Sequence, residues 1–478
     1  MGIAPAVRAL SDPDGVAIVC GDQTITWSEL ERSANRRARA FARLGVGRGD
    51  LVTIALPNSV DYYLTVLATW KLGAVPQPVS YALADAEREA IVELADPALV
   101  VGGPEVAGRP WLADGWAPSA SLDDSALDAV VSPSWKVMTS GGSTGRPKLI
   151  VAAERSTIDR EKLSLGMRSD GVQLVAGPLY HQGPFIFSTR ALLSGVRLVV
   201  MPRFDASAAL ELIERHRVDW VFLVPTMLHR IWRLPEHART ARDLSSLRVV
   251  LSTGAPWPVW LKQAYLEWLG PDRVFEAYGG TESQGGTYIT GHEALTHPGS
   301  VGRPTAVGSL RVLDESFRDV PVGDIGEVYF RPTAGPGSTY RYIGAEVKAH
   351  DGWETLGDLG YLDADGYLYL VDRRTDMIVS GGANVYPAEV EAALDSLPFV
   401  RSSAVIGLPD DDLGQRVHAI VDVGDEPDRE FEPLVRERIE LTLSRAKRPR
   451  SYEFVREPLR NDAGKVRRSA LRDARLPT

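Results

Sequence analysis

The sequence predicts an α/β protein with a large N-terminal domain, residues 1–372, and a small α+β C-terminal domain, residues 373–478. Between residues 196 and 270, short apolar runs alternate with amphipathic, helix-like segments, which is typical of a parallel sheet covered by helices. Beyond about residue 305 the chain changes to closely spaced strands with turn signals. At 478 residues the chain is too long for one simple core, so more than one domain is expected.

The first long elements are predicted to be helices. Thr26, followed three residues later by Glu29, forms a capping-box pattern, and apolar residues then recur at helical spacing. A second helix is predicted from Asp61 to Leu72, because a glycine follows it and residues 75–79 then form an extended, proline-containing run.

The later elements follow the same logic of period and turn. The parallel sheet is predicted from strands at 196–202, 218–225 and 248–256, with helices at 205–217 and 256–270. Asp365 and Gly366 separate two strand-like runs and predict a hairpin turn. The small domain is predicted to contain helices at 388–396 and 431–445 and strands at 403–408, 416–423 and 451–455.

Composition excludes several classes of protein. The chain is 44% hydrophobic and 24% charged, which is ordinary for a globular protein, and its net charge of −10 argues against a nucleic-acid partner. Cys20 is the single cysteine, so no internal disulfide is expected, in keeping with a reducing compartment. Because the start lacks a signal-like apolar stretch and no apolar run reaches about 18 residues, we expect a cytoplasmic protein without a membrane partner.

Residues 137–150, VMTSGGSTGRPKLI, combine glycines, hydroxyl side chains and Lys148. Glycines let a backbone approach a ligand, hydroxyls donate hydrogen bonds and the lysine adds positive charge, so the stretch predicts a phosphate-binding loop. The alternative interpretation is a flexible surface loop, which has a similar composition. The glycine spacing fits neither a P-loop nor a dinucleotide-binding turn.

The stretch TSGGSTGRPK resembles the phosphate loop of adenylate-forming enzymes, the superfamily of acyl-CoA synthetases, firefly luciferase and peptide-synthetase adenylation domains. Similar motifs follow in that family's order: PLYHQGPF (178–185), AYGGTES (277–283), VGRP (301–304), LGDLGYLDADGYLYLVDRRTD (356–376), SGGANVYPAEVE (380–391) and LRNDAGKVRR (459–468). The resemblance spans nearly the whole chain. It implies a large N-terminal domain of parallel sheets between helices with a β-rich subdomain, and a small mobile C-terminal domain that turns about a hinge near Thr375.

The resemblance also implies which residues hold the phosphates of ATP. The loop residues expected to bind them are Thr139, Ser140, Gly141, Ser143, Thr144 and Gly145, with Lys148 adding charge. Thr281 would contact the α-phosphate. Glu282 would hold Mg²⁺, a hard cation suited to carboxylate and phosphate oxygens. Most isolated glutamates are surface residues, and only the order of the motifs favours a metal-binding role here.

By the same resemblance, a second group of residues would hold the nucleoside. Tyr278 would stack on adenine, and Asp358 would accept hydrogen bonds from both ribose hydroxyls, with Arg373 approaching the ribose or phosphates. A packing aromatic and a turn aspartate are the ordinary alternatives for the first two. The remaining expected adenine contacts are Gly279, Gly254, Ala255 and Pro256.

Lys465 would be the main catalytic residue, because the family's lysine at this position bridges the carboxylate and the α-phosphate. A cation that reaches a closed site stabilises charge that develops in the transition state, although most lysines are simply exposed. His181 would be a gate between the acyl pocket and a thiol tunnel. Gly381 and Gly382 would flank that tunnel after the small domain turns, since a Cβ there would obstruct it.

The leading hypothesis is an AMP-forming acid–CoA ligase that uses ATP, Mg²⁺, CoA and a small-molecule carboxylic acid, as a monomer or homodimer. The basic run at residues 445–450 would meet CoA phosphates or form a solvated charged face. The adjacent Gly279 and Gly280 would leave room for a bulky or planar acid. A second hypothesis keeps the adenylation but passes the activated group to a carrier protein or an amine, or activates nitrite as a diazotase does, in secondary metabolism. A third is a catalytically dead nucleotide-binding module.

Overall fold

The structure is a computed structural model that describes residues 1–141, 147–255, 257–426, 430–461 and 464–476, without the side chain of Ser140. Four predicted nucleotide contacts therefore lie outside the described residues: Ser143, Thr144, Gly145 and Pro256.

The helices begin where the chain supplies caps. The predicted capping box is present, with Thr26 accepting from the Glu29 amide and the Glu29 carboxylate accepting from the Thr26 amide. Ser59 caps the next long helix, which therefore starts one residue earlier than predicted. Within the described residues, the helices are α1 (Ala4–Ser11), α2 (Trp27–Arg43), α3 (Val60–Lys71), α4 (Asp85–Ala95), α5 (Gln182–Leu193), α6 (Ala206–His216), α7 (Pro225–Trp232), α8 (Glu236–Thr240), α9 (Val259–Leu269), α10 (Gly291–Thr296), α11 (Pro387–Asp395), α12 (Phe431–Thr442) and α13 (Arg468–Asp473), with a 3₁₀ turn at Arg445–Lys447.

Strands and helices alternate between residues 172 and 279, whereas the strands between residues 303 and 385 follow one another closely. The strands of the described residues are β1 (Val16–Cys20), β2 (Gln23–Thr26), β3 (Leu51–Ala55), β4 (Val75–Pro78), β5 (Leu99–Gly102), β6 (Trp111–Leu112), β7 (Val137–Gly141), β8 (Pro147–Ala152), β9 (Val172–Val175), β10 (Arg197–Val200), β11 (Trp220–Leu223), β12 (Val249–Ser252), β13 (Val274–Gly279), β14 (Gly286–Thr290), β15 (Arg303–Pro304), β16 (Gly308–Leu313), β17 (Gly326–Pro332), β18 (Tyr340–Ile343), β19 (Ala349–His350), β20 (Trp353–Leu362), β21 (Leu368–Arg373), β22 (Ile378–Ser380), β23 (Ala383–Val385), β24 (Ser402–Asp410), β25 (Gly414–Asp422) and β26 (Ser451–Val455). The predicted alternation of strands and helices is confirmed.

The main sheet of the described chain has the order β15-β14-β13-β12-β11-β9-β10-β1-β2. Its central strands, β13 to β1 in that order, are parallel, as the alternating pattern predicted. Strands such as β11 and β12 are buried along their whole length, which is expected of parallel strands covered on both faces. The carboxyl ends of these parallel strands meet at one edge, where open α/β sheets bind ligands.

Three smaller sheets complete the large domain as the structure describes it. A parallel sheet has the order β4-β3-β5-β6, and an antiparallel sheet has the order β18-β8-β7. A β-rich subdomain has the order β16-β17-β20-β19, with β21 paired to β20. The predicted hairpin turn at Asp365 and Gly366 connects β20 to β21, and Gly366 has a φ of +79° that favours glycine.

The small domain has a core of its own. Its sheet has the order β23-β22-β25-β24, with β26 added beside β25, and α11 and α12 cover it. Among the described residues this core contains Val390, Val405, Val421, Val435 and Ile439 and shares no member with the main core of the large domain. The predicted small α+β unit is therefore confirmed, whereas the boundary at residues 372/373 and the hinge at Thr375 stay predictions.

Candidate active site

The carboxyl edge of the main sheet gathers predicted site residues from distant parts of the chain. Gly254 and Ala255 follow β12 at this edge, and Gly254 has a φ of +93°. Tyr278 and the exposed Gly279 end β13, and the half-buried Thr281 leads into Glu282. Parallel strands end side by side, so these short loops are held next to one another.

Asp358 is held between two donors. The Tyr278 hydroxyl donates to its Oδ2 over 2.6 Å, and Arg373 Nε donates to its Oδ1 over 3.2 Å. The register of β20 and β21 places Asp358 directly opposite Arg373, so the ion pair follows from the hairpin. Burial and the Asp358 charge raise the pKa of Tyr278 well above its ordinary value, which keeps this hydroxyl a donor.

Glu282 is buried beside a tyrosine and a lysine. The Tyr342 hydroxyl donates to Glu282 Oε1 over 2.6 Å, and Lys148 Nζ lies 3.5 Å from the same oxygen. Lys148 Nζ also lies 3.9 Å from the centroid of the Tyr342 ring, a cation–π contact. Burial lowers the pKa of Lys148, and the attraction of Glu282 opposes that shift. The three side chains form one polar cluster with a buried carboxylate at its centre.

Gly280 does not leave the space that the sequence suggested. A Cβ at this position would lie 2.5 Å from Leu356 Cδ1 and 2.9 Å from Glu282 Oε2. The expectation of room for a bulky acid is therefore wrong at Gly280, because Leu356 and Glu282 fill that space. At Gly279 an added Cβ would lie 3.2 Å from the Gly285 carbonyl oxygen, which is also a tight contact.

Lys465 reaches this edge from the small domain. Gly464 adopts a φ of +72°, and Asn461 Oδ1 accepts a hydrogen bond from the Lys465 amide over 2.9 Å, so a tight turn presents the lysine. Lys465 is solvent-exposed. Partial desolvation lowers the pKa of Lys465, the charge of Arg373 lowers it further, and Glu282 opposes the shift. Lys465 therefore lies in the field of both Arg373 and Glu282.

His181 lies on the same side of the molecule, at the start of α5. Burial, together with the positive charge of Lys465, lowers the pKa of His181 to about 3, so the ring is neutral near pH 7. Its Nε2 is buried and has no hydrogen-bond partner among the described residues. Within the described chain no group of three or more His, Cys, Asp or Glu side chains is arranged to hold a metal.

The phosphate-loop segment starts and ends on an antiparallel ladder. Gly141 of β7 pairs with Pro147 of β8, and Ser140 pairs with Lys148. Gln77 Nε2 donates to Thr139 Oγ1 over 3.5 Å. The ladder therefore brings both ends of the loop, and Lys148, to the buried carboxylate of Glu282.

The two glycines predicted to flank the thiol tunnel lie in the small domain. Gly381 and Gly382 form an exposed turn between β22 and β23, with φ angles of +56° and +79°. Their position near a thiol tunnel stays a prediction.

In the basic run at residues 445–450, Lys447 pairs with Glu389 over 2.7 Å, so its charge is neutralised within the small domain.

Comparison with known proteins identifies the family. Residues 6–342 match the AMP-binding enzyme family, and residues 389–465 match the C-terminal domain of AMP-binding enzymes. The chain belongs to the AMP-binding enzyme family.

Relatives of this AMP-binding enzyme are similar along their full lengths. It is 33% identical to a feruloyl-CoA synthase of Amycolatopsis sp, over 99% of this chain and 98% of the relative. It is 31% identical to the long-chain-fatty-acid–CoA ligase FadD13 of Mycobacterium tuberculosis, over 98% of this chain and 96% of the relative. Among solved structures, o-succinylbenzoate CoA synthetase (MenE) of Bacillus subtilis, in complex with the acyl-adenylate intermediate OSB-AMP, superimposes with a TM-score of 0.83, 27% identity and 99% coverage of both chains.

The donor set of this AMP-binding enzyme suits Mg²⁺. Magnesium usually keeps several water ligands and is bound through one or two carboxylates together with the phosphates of its nucleotide. Glu282 supplies a buried carboxylate 3.5 Å from Lys148, which lies on the ladder that carries the phosphate loop, so it is the residue that would hold the ion. No helix in the described part of the chain has the length and apolar character needed to span a bilayer.

Two residues of the site were missed by sequence reasoning. Tyr342 contacts Glu282 because β18 pairs with β8, and the alternating YRYI pattern indicates a strand but not the strand with which it pairs. Lys136 is 2% exposed just before β7, and burial lowers its pKa to about 7 against the attraction of Glu154 and Glu282. The signal in the sequence that could have identified Lys136 is a lysine between Trp135 and Val137 at the start of a strand.

Proposed function

We propose that this AMP-binding enzyme is an AMP-forming acid–CoA ligase, which activates a carboxylic acid as an acyl-adenylate and transfers the acyl group to CoA. The observation that carries the proposal is that Gly464, directly before Lys465, lies against Thr226 at the carboxyl edge of the main sheet, which puts Lys465 in the field of Glu282 and Arg373. A second support is the family match over both domains.

In the first step, a carboxylate oxygen bonds to the α-phosphorus of ATP, and the bond from that phosphorus to the β-phosphate oxygen breaks, releasing pyrophosphate. Two anions must approach, so the site has to neutralise and orient charge. Lys465, Lys148 and Arg373 supply that charge, and Asp358, oriented by Tyr278, accepts hydrogen bonds from the ribose. Mg²⁺, which Glu282 would hold, would further neutralise the phosphates.

In the second step, the CoA thiol sulfur bonds to the acyl carbon, AMP leaves and the thiol proton passes to solvent. His181, neutral near pH 7, borders the path of the acyl group as an uncharged gate. Rotation of the small domain about Thr375 would withdraw Lys465 and bring Gly381 and Gly382 toward the acyl carbon.

The test is a product assay. Purified protein is incubated with ATP, Mg²⁺ and a panel of aliphatic, aryl and polycyclic acids, with and without CoA, and AMP and acyl-CoA are quantified by mass spectrometry. A thioester that forms only with CoA and ATP supports the proposal. AMP formation indifferent to CoA would move the function to another acceptor, with a carrier protein, amines, and nitrite plus an aryl amine tested next.

Lys465→Ala serves as the internal control for this assay. It should abolish formation of the adenylate, because the cation that meets the transition state is lost. An unchanged rate would contradict the assigned site and favour a nucleotide-binding module.

We also propose a cytoplasmic location and action as a monomer or homodimer. Light scattering would measure the mass of the particle in solution and so distinguish monomer from homodimer.

A further inference from the structure

One face of α7, in the large domain, is turned toward the small domain. His229 and Arg233 lie three and seven residues after Thr226, so the three residues lie along one side of the helix. The residues between them on the opposite side, including Met227, Leu228 and Ile231, are buried in the main core. The helix is therefore fixed to the large domain and offers a polar face to its neighbour.

Two contacts join this face to the small domain. At its start, Thr226 lies against Gly464, where an added Cβ would be 2.5 Å from Thr226 Oγ1. At its end, the Arg233 guanidinium donates to the carbonyl oxygens of Leu397, over 3.4 Å, and of Pro398. These carbonyls follow the last turn of α11, where a cation is favoured by the helix dipole.

The charges around Arg233 favour the same arrangement. Burial lowers the pKa of Arg233, the small-domain carboxylates of Asp395, Glu426 and Asp422 oppose that shift, and Arg401 adds to it. His229 is kept neutral because burial, with the charges of Arg233 and Arg460, lowers its pKa to about 4. The face therefore brings one net positive charge to a side of the small domain that carries both carboxylates and guanidinium groups.

A third contact between the domains is weaker. Arg467 Nη2 lies 3.2 Å from Glu87 Oε1, but both side chains are solvent-accessible, and exposed ion pairs contribute little to stability. Arg233 instead places a charged donor on two carbonyls in a partly buried setting, where hydrogen bonds are stronger.

We propose that the face of α7 formed by Thr226, His229 and Arg233 is the surface that docks the small domain for adenylate formation, with Arg233 as its anchor. Gly464 directly precedes Lys465, so docking at this face sets the position of the lysine. Arg233 is thus a positioning residue for the first half-reaction. This inference rests on the proposed function.

The test separates the two half-reactions. With an acid found in the product assay, acid-dependent exchange of labelled pyrophosphate into ATP reports the first step, and thioester formation from synthetic acyl-adenylate and CoA reports the second. Arg233→Ala should slow the exchange about tenfold, with little change in KM for ATP, and leave the second step unchanged. Arg233→Lys should recover part of the rate. An unchanged exchange rate, or equal losses in both steps, would overturn the proposal.

A matched control lies on the same helix. The side chain of Arg230 is exposed and has no hydrogen bond or ion pair among the residues that the structure describes, so Arg230→Ala should leave both steps unchanged. If Arg230→Ala reduced the exchange as much as Arg233→Ala, general loss of positive charge would explain the effect and the anchor would be refuted.

A distance measurement tests docking without any activity. Glu236→Cys and Glu437→Cys place spin labels on exposed sites of the two domains, while the native Cys20 is only 6% exposed. Double electron–electron resonance should give a distribution with one main distance between the two labels. Arg233→Ala should broaden this distribution, and Arg230→Ala should not. An identical distribution in Arg233→Ala would overturn the proposal even if no acid were ever identified, which separates its failure from that of the proposed function.

Discussion

At the scale of single residues, the site is organised by hydrogen bonds that orient carboxylates. Tyr278 and Arg373 hold Asp358, and Tyr342 and Lys148 hold Glu282. Each carboxylate keeps lone pairs free beyond these contacts, since an ionised carboxylate accepts about four hydrogen bonds. The neighbours therefore fix direction while leaving capacity for a ribose or an ion.

Removing the hydroxyl of Tyr342 should weaken the ion site. Tyr342→Phe deletes the 2.6 Å hydrogen bond to Glu282, a bond to a charged acceptor worth about 1.5–3 kcal/mol. We expect the Mg²⁺ concentration that gives half-maximal pyrophosphate exchange to rise about tenfold. Tyr369→Phe removes a hydroxyl that bonds to Asp363 outside the site and should have no such effect. An unchanged Mg²⁺ requirement in Tyr342→Phe would separate this tyrosine from the ion.

The pH profile of the first half-reaction should report Lys465 and not His181. Lys465 acts as a cation, and its pKa is lowered, so the rate should fall as pH rises through a value below the ordinary lysine pKa of about 10.4. His181, with a pKa of about 3, is already neutral above pH 5 and should add no inflection near pH 6.5. The measurement is kcat/KM between pH 5 and 10. A limb near pH 6.5 that disappears in His181→Asn would contradict the neutral gate.

At the scale of elements, the sequence patterns were sufficient to predict a structure where its contacting residues are close together in the chain. The capping box of α2 and the β20–β21 hairpin each involve residues close in sequence, and both were predicted. The sheet of β7, β8 and β18 joins residues 137–152 to residues 340–343, and no periodicity reveals a pairing at that separation. Tyr342 was missed for this reason, and the filling of the space at Gly280 was missed because Leu356 comes from another strand.

The cap of α2 gives a test at this scale. Thr26→Ala removes the side chain that accepts from the Glu29 amide, and loss of such a cap costs about 1 kcal/mol. We expect the large domain to melt roughly 1–2 °C lower, a small shift because its unfolding entropy is large. Thr26→Ser keeps the acceptor and should melt close to the parent temperature. Equal destabilisation by Ala and Ser would indicate that the methyl group matters more than the cap.

At the scale of the whole molecule, two cores that share no residue within the described chain imply two units of stability. Contacts between the two units include the face of α7, the pair of Arg467 with Glu87 and the pair of Arg374 with Glu327, and these contacts are largely polar. Polar interfaces of this kind permit movement of one domain relative to the other. The sequence predicted both domains from texture and motif order, but the docking face could not be predicted, because Arg233 is far in sequence from Leu397 and Pro398.

Calorimetry should resolve the two units. The calorimetric enthalpy of unfolding should exceed the van't Hoff enthalpy, since the chain does not unfold as one cooperative unit. Ile439→Ala, in the small-domain core, should destabilise one transition by about 2–5 kcal/mol, and Leu251→Ala should move the other. A single transition that both variants shift equally would show that the cores are coupled.

The β20–β21 hairpin places the nucleotide contact and the predicted pivot on neighbouring residues. Asp358 lies opposite Arg373, and Thr375 follows two residues later. With Thr375 as the proposed pivot and Asp358 as the proposed ribose ligand, rotation of the small domain would start two residues from the ion-pair partner of Asp358. A nucleotide that stays bound would restrict this end of the hairpin, and its release would free the small domain to return to its first orientation. Release of AMP and the return of the small domain would thus be coupled.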